Sequence, residues 1–225
     1  MRKVVLFDMD GVLYDSMPNH AIAWVRAMES FGVKFTADDA YITEGARGVD
    51  TVRKYLKEQT GKVITEEEAL WMYNVKAERF AELPTARIMP GALQLMEKIQ
   101  KDGLKIGVVT GSAQRPLINR ILNDFSSFVT EDHIVTAFDV KHGKPDPEPY
   151  LTGMQKCGGY SPSETIVVEN APLGVKAGHA SGAYTIAVNT GPLPDSALVS
   201  QGSDRLFPSM QALADSWEQL IAEIN

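Results

Sequence analysis

At 225 residues the chain has room for one large domain, or for one domain carrying a smaller insertion. Apolar residues at 44% and charged residues at 23% are ordinary for a globular protein in water. The 29 acidic residues against 22 basic ones leave a net charge of −7, which argues against a partner bound through a nucleic-acid backbone.

The lone cysteine, Cys157, cannot make an internal disulfide, and no apolar run approaches membrane-spanning length. The chain enters its first strand without a signal-peptide pattern, so a cytoplasmic protein without a membrane partner is expected. An acidic surface fits a monomer or a weak homo-oligomer.

The first predicted strand is Val4–Phe7, and it ends in Asp8-Met9-Asp10-Gly11. Two carboxylates one residue apart past a buried strand end repel one another when both ionise. A hard cation such as Mg²⁺, with oxygen ligands, removes that cost. Between Asp15 and about Arg87 no strand pattern occurs. Helical patterns fall instead at about 18–31, 37–44, 51–59 and 66–83, with Gly32, Gly61 and Pro84 as punctuation.

After an amphipathic stretch at 91–101, a second strand at 104–109 delivers Thr110-Gly111-Ser112. A hydroxyl and a glycine ahead of a helix suit a phosphate oxygen, and taken alone they more often mark a helix cap. A third strand is read at 134–138. It precedes His142-Gly143-Lys144-Pro145-Asp146-Pro147-Glu148-Pro149, whose prolines preset a stiff loop, with Asp146 as cap of the next helix. Lys144 on that loop is a rigidly carried cation.

A fourth strand, 165–168, presents Glu169-Asn170. Glu169 completes a metal shell directly or through water, and Asn170 either offers a carbonyl oxygen or caps the helix that follows. Strands at 184–188 and 205–207 and a helix at 209–224 finish the chain.

Strand–helix alternation of this kind implies an α/β fold, a Rossmann-like parallel sheet with helices on both faces. Residues 1–15 and 88–225 form that core. Residues 16–87 form a four-helix cap over the sheet's C-terminal edge, where ligands of such sheets bind. Crossings near 15–18 and 84–90 then act as hinges.

The runs DMDGVLYDS, VVTGS, KHGKPDPEPY and VVENAPLGVKAG, in that order, resemble the haloacid dehalogenase superfamily, in the branch of β-phosphoglucomutase-like proteins and sugar phosphatases. The resemblance spans essentially the whole chain. It implies a Mg²⁺-dependent enzyme in which Asp8 takes up a phosphoryl group and Asp10 is the general acid and base. Thr110 and Lys144 hold phosphoryl oxygens with Gly111 and Ser112 nearby. Asp8, the Asp10 carbonyl, Glu169 and Asn170 surround the metal.

It also places His20, Trp24, Arg47 and Lys76 on the cap as substrate-binding positions. Three of them have a plain structural alternative: Trp24 as core, Lys76 as a solvated helix face and His20 as a helix-surface residue; His20 is also read as a support for Asp10. Two departures stand out. Many relatives carry an acidic pair where this chain has Glu169-Asn170, which implies weaker Mg²⁺ binding. The mutase-type Gly-x-Ser-Arg pattern reads Gly45-Ala46-Arg47-Gly48 here, shifting the arginine by one place.

The expected reaction is hydrolysis of a small phosphorylated metabolite, foremost a sugar phosphate. The alternatives are a β-phosphoglucomutase and, behind it, a catalytically silent binding protein on the same scaffold.

Overall fold

A computed structural model describes residues 1–112 and 114–225. Six parallel strands form one sheet in the order β3-β2-β1-β4-β5-β6. They are β1 (Val4–Phe7), β2 (Lys105–Val109), β3 (Ile134–Val135), β4 (Thr165–Glu169), β5 (Tyr184–Val188) and β6 (Arg205–Phe207). β1 lies between β2 and β4, with Phe7 level with Val108 and Val168. The loops after these three strands therefore open side by side at one edge.

β1 is buried on both faces, and its alternate side chains separate two cores. Val5 and Phe7 pack with α5 (Ala92–Lys101), α6 (Arg115–Asp124) and α10 (Met210–Ile224), through Leu95, Ile121 and Trp217 among others. Val4 and Leu6 face the opposite layer, where Tyr150, Met154 and Ala177 come from α7 (Glu148–Lys156) and α8 (Pro172–Ala180). A short α9 (Asp195–Val199) places Leu198 against Val175 and Ala187.

Four helices stand between β1 and α5: α1 (Met17–Ser30), α2 (Ala37–Ile42), α3 (Gly48–Thr60) and α4 (Glu66–Ala81). They close on a cluster of their own, which includes Trp24, Met28, Phe35, Val52, Leu56 and Met72. α2 and α4 start at reciprocal capping boxes, Thr36 with Asp39 and Thr65 with Glu68, which satisfy amides that the first turn cannot. The two chain crossings meet in an antiparallel bridge between Tyr14 and Ile88. There Tyr14 donates its hydroxyl to Asp124 at 3.0 Å, and the Arg120 guanidinium lies 4.0 Å over the Tyr14 ring.

Four local readings of the sequence need correction. The third strand stops at Val135, because the Thr136 amide and hydroxyl both donate to Asp139 Oδ2 at 2.8 Å and turn the chain away. Phe138, read as strand, is therefore exposed. The second inserted helix ends at Ile42, where the Thr43 hydroxyl bonds back to the Asp39 carbonyl and Gly45 follows with φ +87°. The next helix begins at Gly48, three residues earlier than its pattern suggested, on an extended Arg47. The cap of α7 is Pro147, with Asp146 one place earlier accepting from the Glu148 amide at 2.9 Å.

Candidate active site

Asp8 leaves β1 with its amide still bonded to the Val168 carbonyl at 3.0 Å, so the sheet fixes where its side chain begins. The carboxylate is buried, and its Oδ1 accepts from Lys144 Nζ at 2.5 Å. Lys144 divides its three protons among Asp8, Glu169 Oε1 at 2.6 Å and the Val109 carbonyl at 3.1 Å. Those acceptors come from three adjacent strand ends. Burial lowers the lysine's pKa, but the two carboxylates outweigh it and hold Lys144 as an ammonium. Burial also pushes Asp8 well above its ordinary value, against the pull of Lys144.

Lys144 is aimed by its loop. Glu148 accepts from the amides of Lys141 and His142, each at 2.9 Å, and from the His142 ring, which ties the loop to the start of α7. From the other side, a Cβ at Gly45 would lie 2.9 Å from Lys144 Cδ, so only glycine lets the loop after α2 approach so closely.

Glu169 ends β4 fully buried. Its Oε1 accepts from Lys144 and from the Tyr150 hydroxyl at 2.6 Å, and its Oε2 accepts the amides of Asn170 and Ala171 at 3.0 and 3.3 Å. Beside this saturated group, two buried side-chain oxygens have no hydrogen-bond partner among the described residues: Asp8 Oδ2 and Asn170 Oδ1. Asn170 lies against the loop after β1, since a Cβ on Gly11 would fall 2.0 Å from its Nδ2. One anionic and one neutral oxygen donor, both orphaned, are the chemistry a hard divalent cation takes up. The donor set fits a magnesium site. Asp8 and Asn170 could hold the ion, whereas each Glu169 oxygen already accepts two hydrogen bonds.

Asp10 faces the inserted helices. Its Oδ1 accepts from the Ser16 hydroxyl at 2.5 Å and lies 3.0 Å from His20 Nε2. Lys76 Nζ lies 2.6 Å from the other ring nitrogen, Nδ1. Lys76 is thus a buried member of the site, not a solvated surface residue, and His20 takes the place of a support for Asp10. Burial raises the Asp10 carboxyl, but the His20 ring and the Ser16 hydroxyl prevail and hold it below its usual value.

Trp24 belongs to the inserted helices' own core, and its ring also lies 5.1 Å from the Lys76 ammonium. A cavity of about 40 Å³ remains here, bounded by Asp10, His20, Trp24, Glu44, Tyr73, Lys76, Gly111 and Ser112. Glu44, Tyr73 and Ser16 were not among the expected site residues. Glu44 and Tyr73 come from loop and helix positions whose convergence no sequence spacing reveals.

Thr110 follows β2, and its hydroxyl oxygen accepts the Ser112 amide at 3.0 Å, which leaves the O–H to donate. Ser112 in turn accepts the Gln114 amide at 3.2 Å, part of the turn that starts α6. Arg47 is the expected residue not brought to Asp10. It pairs with Asp50 at 2.8 and 3.0 Å and lies against Gly143, in a separate cleft of about 690 Å³ that also reaches Lys54, Lys141 and Lys144.

The family model of haloacid dehalogenase-like hydrolases matches residues 2–182. Hexitol phosphatase A of Escherichia coli is 33% identical over 187 residues, 83% of each chain. Validoxylamine A 7'-phosphate phosphatase of Streptomyces hygroscopicus is 30% identical, over 84% of this chain and 87% of its own. A solved structure from Bacteroides vulgatus, provisionally named a β-phosphoglucomutase, superposes with a TM-score of 0.95 at 47% identity, over 100% of this chain and 90% of its own.

Proposed function

The chain belongs to the haloacid dehalogenase-like hydrolases, and from that membership we propose that it is a Mg²⁺-dependent phosphatase of a small phosphorylated metabolite, with a sugar phosphate as the leading class. The observation that carries the reading is the buried Asp8 carboxylate, held by Lys144 on one oxygen and unpartnered on the other.

Asp8, Asn170 and the Asp10 carbonyl would hold Mg²⁺, which when bound would supply positive charge to the phosphoryl oxygens. The chain's own residues do the rest. The Asp8 carboxylate attacks phosphorus and becomes an aspartyl phosphate. Lys144 and the Thr110 hydroxyl meet the charge on the transferring oxygens, and Gly111 leaves the backbone room to approach them. Asp10 gives a proton to the leaving oxygen and then takes one from water. His20 and Ser16 hold Asp10 ionised in the present arrangement, the form needed for the second half of the cycle.

Residues 16–87 act as the cap, hinged at the Tyr14–Ile88 bridge. In the present arrangement Asp8 and Lys144 are both out of water, so the cap must lift for substrate to enter.

Hydrolysis is preferred over the mutase reaction because Arg47, the residue nearest to the distal-phosphate grip, is paired with Asp50 and turned into the neighbouring cleft. A panel of phosphorylated compounds graded by leaving-group size, scored for both free phosphate and isomerised product, tests the reading. Release of phosphate in the presence of Mg²⁺, abolished in Asp8→Asn, is the expected result. Glucose 6-phosphate formed from β-glucose 1-phosphate and a bisphosphate primer, without free phosphate, would establish the mutase instead.

A further inference from the structure

We infer that the Tyr150 hydroxyl is a positioning group that keeps Glu169 off the cation and reserves it for Lys144. The cation site then has a single side-chain carboxylate, Asp8. This rests on the magnesium-dependent reading above and says which residues set the strength of that site.

A carboxylate has about four lone-pair directions. Four donors occupy those of Glu169: Lys144 and Tyr150 on Oε1, and the amides of Asn170 and Ala171 on Oε2. Three of the four donors serve evident purposes. The amides fix the carboxylate at the end of β4, and Lys144 links it to Asp8. The Tyr150 hydroxyl is the fourth, and Glu169 is its hydrogen-bond partner across 19 residues of sequence. It occupies the one direction that would otherwise remain open.

The supporting structure is stiff. The Tyr150 ring is fully buried with Met154, Leu6 and Val167, and its face lies 5.1 Å from the Lys144 ammonium. Gly174 of α8 backs the carboxylate so closely that a Cβ there would lie 1.9 Å from Oε1. Burial, and then the Glu169 and Asp8 carboxylates, keep the phenol protonated and therefore a donor. A hydrogen bond donated to a carboxylate also drains its negative field. Together with the amide of Asn170 in place of a second acid, the hydroxyl weakens the pull on a cation and keeps Glu169 beside Lys144.

The direction of the effect separates this role from simple packing. Tyr150→Phe keeps the ring, the packing and the contact with Lys144, and removes only the donor. It is expected to bind Mg²⁺ roughly three- to tenfold more tightly than the wild type in calorimetric titration without substrate. Turnover falls over the same change, because a Glu169 drawn to the cation no longer holds Lys144 beside Asp8, while KM moves little. Glu169→Gln, measured alongside, loses more in turnover than in Mg²⁺ affinity.

Equal or weaker Mg²⁺ binding by Tyr150→Phe, with normal binding by the wild type, overturns the inference alone. A wild-type protein that binds no Mg²⁺ overturns the magnesium reading and this inference with it.

Discussion

Lys76 Nζ lies 2.6 Å from His20 Nδ1, so a residue near the end of the inserted helices decides how the ring meets Asp10. A donor on Nδ1 leaves Nε2 to carry the proton, and Nε2 lies 3.0 Å from the Asp10 carboxylate. Burial lowers Lys76 to about 8, against the pull of the Glu44 and Asp10 carboxylates. The charged donor is therefore present below that pH and lost above it. The rate is expected to fall as pH rises through about 8. Lys76→Met should lower kcat/KM by about ten- to a hundredfold and flatten that alkaline limb. A variant with the wild-type pH–rate profile would remove Lys76 from the relay.

The same lysine makes a stability prediction. Its ordinary pKa is 10.5 and its folded value is about 8, so between those limits the unfolded chain holds more protons than the folded one. The buried ammonium costs stability below about 8, and the cost is relieved as pH rises toward 10.5. The stability of the wild type relative to Lys76→Met should rise by on the order of 3 kcal/mol across that window. Denaturant midpoints of the two proteins measured at both ends check the sign.

Asn170→Asp restores a second carboxylate at one of the two orphaned oxygens. Its Mg²⁺ affinity should increase by about tenfold, read as a lower half-activating concentration. An unchanged metal dependence would take Asn170 out of the cation's surroundings.

Gly174→Ala puts a methyl group 1.9 Å from Glu169 Oε1. The carboxylate must move, and Lys144 loses the partner that holds it beside Asp8. Turnover should drop by about a hundredfold, with the circular dichroism of a folded protein retained. Full activity in a folded variant would show that Lys144 needs no second carboxylate.

Much of this site was legible because its chemistry is local in sequence. A buried apolar strand that ends in Asp-x-Asp, a hydroxyl after β2, a lysine between prolines and a Glu-Asn after β4 each announce a loop at a strand end. A parallel sheet brings such loops to one edge. The inserted helices were legible by their missing strands and by Gly32, Gly61 and Pro84 between and after them. What stayed hidden depends on distance. The third strand was read too long, because the Thr136–Asp139 turn competes with the ladder through side-chain bonds that apolar patterning does not register. Lys76, singled out only by the family resemblance, reads from its own segment as one more helix lysine until its burial against His20 and Trp24 is seen. Tyr150 and Glu44 gain their meaning only from partners on other segments. The pairing of Arg47 with Asp50, three residues apart on a helix start, was within reach of the sequence.

The most direct test of the account is the fate of the Asp8 carboxylate when a phosphoryl mimic is offered. The wild-type protein soaked with Mg²⁺ and beryllofluoride should carry the adduct on Asp8, seen by fluorine NMR or crystallography, with Lys144 against its fluorines. Asp8→Asn should carry none and should hydrolyse no p-nitrophenyl phosphate. A folded wild-type protein with no adduct on Asp8, or turnover by Asp8→Asn equal to wild type, would contradict the central claim.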